Sequence, residues 1–114
     1  MNWKKLEAIS QLAAIDEASR LHPVMIFKHS TRCSVSSTAL DRLNRNAGDD
    51  LQPADHYYLD LIAHRDISNA IAERYGVIHE SPQMLVIRNG KAVHVTSHME
   101  ITYTDLRQSL LEAV

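Results

Sequence analysis

The chain holds one cysteine, Cys33, and its setting is what gives it chemistry. Val24-Met25-Ile26-Phe27, an apolar run short enough for one buried strand, leads through the polar stretch Lys28-His29-Ser30-Thr31-Arg32 to this residue, and a helix-like pattern follows it. Where a strand hands over to a helix, the first backbone N–H groups have no intrahelical partner and the macrodipole adds about half a positive charge. A thiolate is stabilised there, so Cys33 is the candidate nucleophile. An ordinary thiol, of pKa about 8.5, is under a tenth ionised at physiological pH, and lowering it by about two units makes it mostly thiolate. Intrinsic nucleophilicity falls with a Brønsted slope of about 0.4–0.5, which offsets most of that gain. The clearer benefit is as a leaving group, which suits a cysteine that an incoming thiol must expel from a mixed disulfide. The competing reading of a lone cysteine is an inert buried filler.

Composition narrows the setting. A chain of 114 residues fits a single domain, here taken as 1–114, and is long enough to bury a real core without staples. A single cysteine forms no internal disulfide, so a reducing cytoplasm is the expected compartment. No stretch approaches the roughly 20 apolar residues of a membrane span, the N-terminus lacks a signal-peptide core, and a membrane partner is not expected. The net charge of -2, with Lys and Arg dispersed, speaks against a nucleic-acid partner. Among the seven histidines only His94 and His98 show a spacing used by metal ligands. They fall on a predicted strand and the loop after it, where residues four apart are not set side by side as they are on a helix, so both are read as solvent-facing and no metal is expected.

Several elements must position the thiol. Residues 2–21 read as an amphipathic helix, with Trp3, Leu6, Ile9, Leu12, Ala13 and Leu21 near a 3.6 period, stopped by His22-Pro23. Val24 to Phe27 is apolar on both faces and predicts a central strand. A second helix is expected over Ser34 to Arg45, burying Val35, Ala39, Leu40 and Leu43 and ending near Asn46-Ala47-Gly48, before a polar loop from Asp49 to Asp55 that contains Pro53. His56 to Ile62 is a second strand. Asp66 is the expected N-cap of a third helix that Gly76 ends. Met84 to Arg88 and Lys91 to Val95 are strands joined by Asn89-Gly90, a strong hairpin signal, and Thr102-Tyr103-Thr104-Asp105 opens the last helix like a capping box with Asp for Glu. The order α-β-α-β-α-β-β-α predicts an α/β protein: a four-stranded mixed sheet with helices on both faces, a thioredoxin-like fold, whose parallel βαβ connection is right-handed.

Local motifs carry a resemblance over essentially the whole chain. Cys33-Ser34-Val35-Ser36 resembles the C-x-x-C motif of thioredoxins with the second cysteine replaced by serine, as in monothiol glutaredoxins. Ser81-Pro82 before the third predicted strand resembles the segment bearing the thioredoxin cis-proline, and Arg88-Asn89-Gly90-Lys91 the hairpin tip after it. More narrowly, Phe27-Lys28-His29-Ser30-Thr31-Arg32-Cys33 is similar to the YtxJ-type family of bacillithiol-system redox proteins, which are monothiol, bacilliredoxin-like and of thioredoxin fold. The chain departs from thioredoxins where they carry a buried aspartate six residues before the nucleophile, since Phe27 stands there, and where they carry a flanking tryptophan, since Arg32 takes its place. Reduction of disulfides by an internal dithiol is excluded.

The resemblance implies a monothiol exchange protein that acts on thiolated protein substrates, with bacillithiol or a similar small thiol as co-substrate and no tightly bound cofactor, working as a monomer. Cys33 would take the small thiol from the protein, and a second thiol would release it. Ser36, at the place of the resolving cysteine, is expected to donate a hydrogen bond to the thiolate, or else to occupy the first helical turn. A cis Ser81–Pro82 bond would let the main chain of Ser81 pair with substrate beside Cys33. Arg32 and Lys28 would attract carboxylates of the small thiol, their alternative being ordinary solvated charges. His29 is read as holding the turn by a local hydrogen bond rather than moving protons. Two other functions compete: a [2Fe–2S]-binding module shared by two protomers, and a redox-silent adaptor.

Overall fold

The structure is a computed structural model that describes residues 1–46 and 54–113. Its elements are β1 (Trp3–Lys5), α1 (Gln11–Ala18), β2 (Val24–His29), α2 (Ser34–Asn46), β3 (Asp55–Asp60), α3 (Arg65–Tyr75), β4 (Gln83–Arg88), β5 (Lys91–Ser97), a 3₁₀ turn (His98–Glu100) and α4 (Tyr103–Glu112). They form a mixed sheet of order β1-β3-β2-β4-β5. Strands β1, β3 and β2 run parallel, while β4 and β5 run antiparallel to their neighbours.

The alternation along β2 explains the layers. Val24 and Ile26 face a core built with Leu12 and Ile15 of α1 and Ile67 and Ile71 of α3. Met25 and Phe27 face the opposite core, built with Ala39 and Leu43 of α2 and Leu106 and Leu110 of α4. All six residues of β2 are buried, as a central strand covered on both faces requires.

Expectation and structure part at the N-terminus. The sheet has five strands rather than four, because Trp3–Lys5 pairs in parallel with His56, Tyr57 and Tyr58 instead of starting a helix. Helix α1 is eight residues long, and Ile9 and Leu21, assigned to an inward helical face, are 50% and 81% exposed. Strand β3 stops at Asp60 instead of Ile62, where the Asp60 carboxylate accepts from the backbone N–H groups of Ile62 and Ala63 and turns the chain. Helix α3 is capped at His64 rather than Asp66, which lies in its first turn. Gly76 closes that helix with φ 64°, the left-handed conformation that glycine adopts without cost. Asn89 and Gly90 have φ of 54° and 73°, a pair of positive values that matches a type I′ hairpin turn. Thr102 caps α4 by accepting from Asp105 N–H at 3.1 Å. The expected Asn46-Ala47-Gly48 helix end and most of the loop after it lie outside the described residues. No described helix is long and apolar enough to cross a membrane.

Candidate active site

Strand β2 delivers the chain to one end of the sheet at His29, and a short turn brings it to the thiol. The Cys33 N–H donates to Ser30 O at 3.1 Å, and Ser37 N–H donates to Cys33 O at 3.1 Å. Cys33 thus stands immediately before α2, at the N-cap position, from which a side chain can reach the N–H groups of Val35 or Ser36. It is half-buried, and the turn holds its backbone in place.

Ser36 follows in the first helical turn and is fully buried. Its hydroxyl accepts from the Ser30 N–H at 3.0 Å and lies 2.6 Å from His29 Nδ1. His29 is 5% exposed, its ring stacked on Phe27 at 6.1 Å and tilted against Tyr58 at 5.5 Å. Burial holds the imidazole below its usual pKa, partly countered by the Asp60 carboxylate. The ring is neutral at neutral pH and can both give and take a hydrogen bond. Ser36 makes no hydrogen bond to the Cys33 sulfur among the described residues; its hydroxyl engages His29 and Ser30 instead.

Pro82 comes to the same end of the sheet because β4 starts where β2 ends, with Gln83 opposite Lys28. The Ser81–Pro82 peptide bond is cis. Strand β5 ends there too, with Ser97 opposite Gln83, and His98 N–H donates to Pro82 O at 3.0 Å. The 3₁₀ turn that His98 opens packs against α2. His98 has a left-handed φ of 55°, and its Nδ1 lies 3.2 Å from Glu80 Oε2, which also accepts from Ser97 Oγ at 3.0 Å. Nothing in the sequence pairs positions 80 and 98, and only the antiparallel register makes them neighbours. The Ser81 hydroxyl is buried there without a hydrogen-bond partner among the described residues.

The structure separates the two basic residues that the sequence grouped. Arg32 is exposed beside Cys33. Lys28 is not a solvated charge: it is 0% exposed and turned to the face opposite His29, so it does not present its ammonium to a ligand at the thiol. Its amine donates to Ser68 O and meets His79 Nδ1, each at 3.3 Å, and burial lowers its pKa from 10.5 to about 8. His79 belongs to the segment before Pro82, and Gln83 Nε2 donates to Ile78 O at 2.9 Å, so β2 and β4 both brace the approach to the cis bond.

His94 and His98 diverge because β5 ends at Ser97 and His98 opens the 3₁₀ turn with a left-handed φ, but His94 is not simply solvent-facing. Its Nε2 lies 2.7 Å from the Asp105 carboxylate of α4, whereas His98 meets Glu80. Among the described residues no three His, Cys, Asp or Glu side chains gather as a metal site would require.

A family model described as monothiol bacilliredoxin BrxC matches residues 4–106. A solved thioredoxin-fold protein, described as a candidate oxidoreductase, is 33% identical, with 94% of this chain and 92% of that one covered at a TM-score of 0.78. Fold alone is shared with the thioredoxin of Fasciola hepatica, 15% identical over 97% of this chain and 99% of that one at a TM-score of 0.73. The same holds for thioredoxin f of spinach chloroplasts, 12% identical over 98% and 86% at 0.75.

Proposed function

Because the chain belongs to the family of monothiol bacilliredoxins, BrxC, whose fold and single cysteine support thiol–disulfide redox chemistry, we propose that it removes low-molecular-weight thiols of the bacillithiol type from protein mixed disulfides. The observation that carries the reading is the lone cysteine at a helix N-cap, at the sheet end where the cis Ser81–Pro82 bond lies, with a serine buried where a resolving thiol would be.

The exchange has two steps. Cys33 thiolate attacks the small-thiol sulfur of the mixed disulfide; a bond forms between the two sulfurs, the old disulfide bond breaks, and the substrate protein leaves as a thiolate that takes a proton from water. A second thiol, as thiolate, then attacks the small-thiol sulfur on Cys33 and expels Cys33 as its thiolate. Ser36 has no sulfur and cannot perform this step, so the resolving thiol comes from outside the chain. The N-cap setting lowers the cost of that expulsion. The main chain of Ser81 would align the substrate backbone, and the exposed Arg32 would meet carboxylates of the small thiol. A reducing compartment such as the cytoplasm suits this chemistry, and the protein works as a monomer without a tightly bound cofactor.

The test is incubation with bacillithiolated and glutathionylated model proteins, followed by mass spectrometry of Cys33. An adduct on Cys33 from the bacillithiolated protein, absent in Cys33→Ser, is the expected result. Transfer of neither group sinks the proposal.

A further inference from the structure

The buried amine of Lys28 belongs to a cluster with more hydrogen-bond donors than acceptors. An ammonium carries three N–H donors, and here they find only Ser68 O and His79 Nδ1, each at 3.3 Å. Neither is a full partner. Ser68 lies inside α3, where a carbonyl already accepts the N–H four residues on, and the Ser68 hydroxyl also approaches His79 Nδ1, at 3.2 Å. A neutral imidazole nitrogen has one lone pair, so two donors compete for it, and accepting there puts the ring hydrogen on Nε2 as a further donor. Gln83, opposite Lys28 on β4, does not relieve the excess, since its amide oxygen is buried without a partner among the described residues. Ser68 and His79 also line, with Leu61, Arg65 and Asn69, a cleft of about 100 Å³, the room of about three water molecules. Arg65 is exposed there and makes no hydrogen bond or ion pair among the described residues. Partial desolvation, then Lys28 and Arg65, hold His79 below its usual pKa, so both cations are felt at the cleft.

We propose that this cleft binds a small oxyanion, the phosphate or carboxylate group of a ligand. Arg65 supplies the planar fork that holds either group through two parallel hydrogen bonds. Ser68 Oγ, the Asn69 amide and His79 Nε2 add donors, and the Lys28 ammonium supplies charge from behind Ser68 and His79, where burial weakens screening. The acidic residues on the elements around the cleft do not already fill this role. Glu80 is held by His98 and Ser97, and the Asp60 carboxylate by the N–H groups of Ile62 and Ala63. Asp66 and Glu73 of α3 pair with neither Arg65 nor Lys28 among the described residues. An occupant joins α3 to the segment that leads into the cis Ser81–Pro82 bond, two residues beyond His79. The site holds no sulfur, so it stands apart from the exchange reading.

The experiment is a titration of the full chain with inorganic phosphate and, in a separate arm, malonate, at pH 7 and an ionic strength held constant with chloride. The readout is the ring ¹H–¹³C resonances of His79, and the ring of His22, which precedes β2 at the other end of that strand, reports the general salt effect. In wild type the His79 resonances are expected to move along a saturable curve toward their imidazolium positions, because a bound anion favours the charged ring. Arg65→Gln, a change at an exposed helix position, is expected to weaken binding by about tenfold, and Lys28→Met to do the same. Urea midpoints in phosphate and in chloride should rank the three proteins in the same order, since an ion that binds only the folded state raises its stability. Saturation by phosphate alone identifies a phosphate site and saturation by malonate alone a carboxylate site, and either upholds the proposal. His79 shifts that grow without saturating, that match those of His22, or that persist unchanged in Arg65→Gln overturn it. If Lys28→Met does not fold, Arg65→Gln decides alone.

Discussion

Lys28 is a buried amine with no carboxylate within ion-pair distance among the described residues, and that has a measurable consequence. Its pKa of about 8 against 10.5 in an unfolded chain means that the unfolded state binds more protons between those values, so stability rises with pH across that window. At 1.36 kcal/mol per unit, the penalty fully present below pH 8 is about 3 kcal/mol. Both of its partners keep other bonds, since His79 Nδ1 also meets Ser68 Oγ at 3.2 Å and Ser68 O is a carbonyl within a helix. Lys28→Met therefore raises the urea midpoint at pH 7 and flattens the rise between pH 8 and 10.5; a lower midpoint with the slope retained would refute this account. Arg32, exposed, has a different role to test. Arg32→Glu slows transfer from a carboxylate-bearing small thiol by up to about fivefold, the scale of an exposed ion pair, and the difference fades in high salt.

At the scale of elements, α4 depends on a cap. The Thr102 hydroxyl accepts from Asp105 N–H, and Asp105 in turn accepts from His94 Nε2 and from Thr96 Oγ1 at 3.1 Å, so the first turn of the helix is tied to β5. Thr102→Ala costs about 1 kcal/mol in a denaturant titration, and a loss below a few tenths of that would show the turn to be held by Asp105 alone. That cap was legible because capping is local chemistry. So was the central strand β2, because a run apolar on both faces has one stable place in a layered fold. The first strand was not legible. Trp3, Leu6 and Leu12 fit a helical period, and three residues are too few to display a period of two. What decides the outcome is the free edge of β3, which pairs with Trp3–Lys5 and seats Leu6 in the core at 1% exposure. Leu6→Ala is accordingly expected to cost about 2–5 kcal/mol despite lying outside every helix and strand. The candidate site divides the same way. Cys33 and Pro82 were readable from their place beside strand ends, whereas the His29–Ser36 contact and the burial of Lys28 depend on which face of β2 each side chain takes and what packs over it.

For the molecule as a whole, the buried and partly buried titratable groups set the pH at which the fold is most stable, the bases acting from the acid side and the tyrosines from the alkaline side. His29 and His56 are held below their usual pKa chiefly by burial, and the more exposed His79 by partial desolvation together with Lys28 and Arg65. A base whose folded pKa is lowered contributes fully above its unfolded value near 6.5 and loses that contribution as pH falls toward the folded value. Lys28 adds a gain that begins near pH 8 and runs upward. Tyr58 and Tyr75 act from the other side, since burial raises both and the Asp16 carboxylate raises Tyr75 further. Their contribution is present below the unfolded tyrosine value near 10 and is lost as pH rises through it. These windows overlap between about pH 8 and 10, on the alkaline side of the range in which most proteins are most stable. Urea midpoints measured from pH 5 to 11 are expected to climb through neutrality, peak in that interval and fall beyond it. His29→Gln should shallow the acid limb and Lys28→Met should draw the peak toward neutral pH. A maximum at or below pH 6 would contradict the assignment of His29 and His56 as neutral, buried bases.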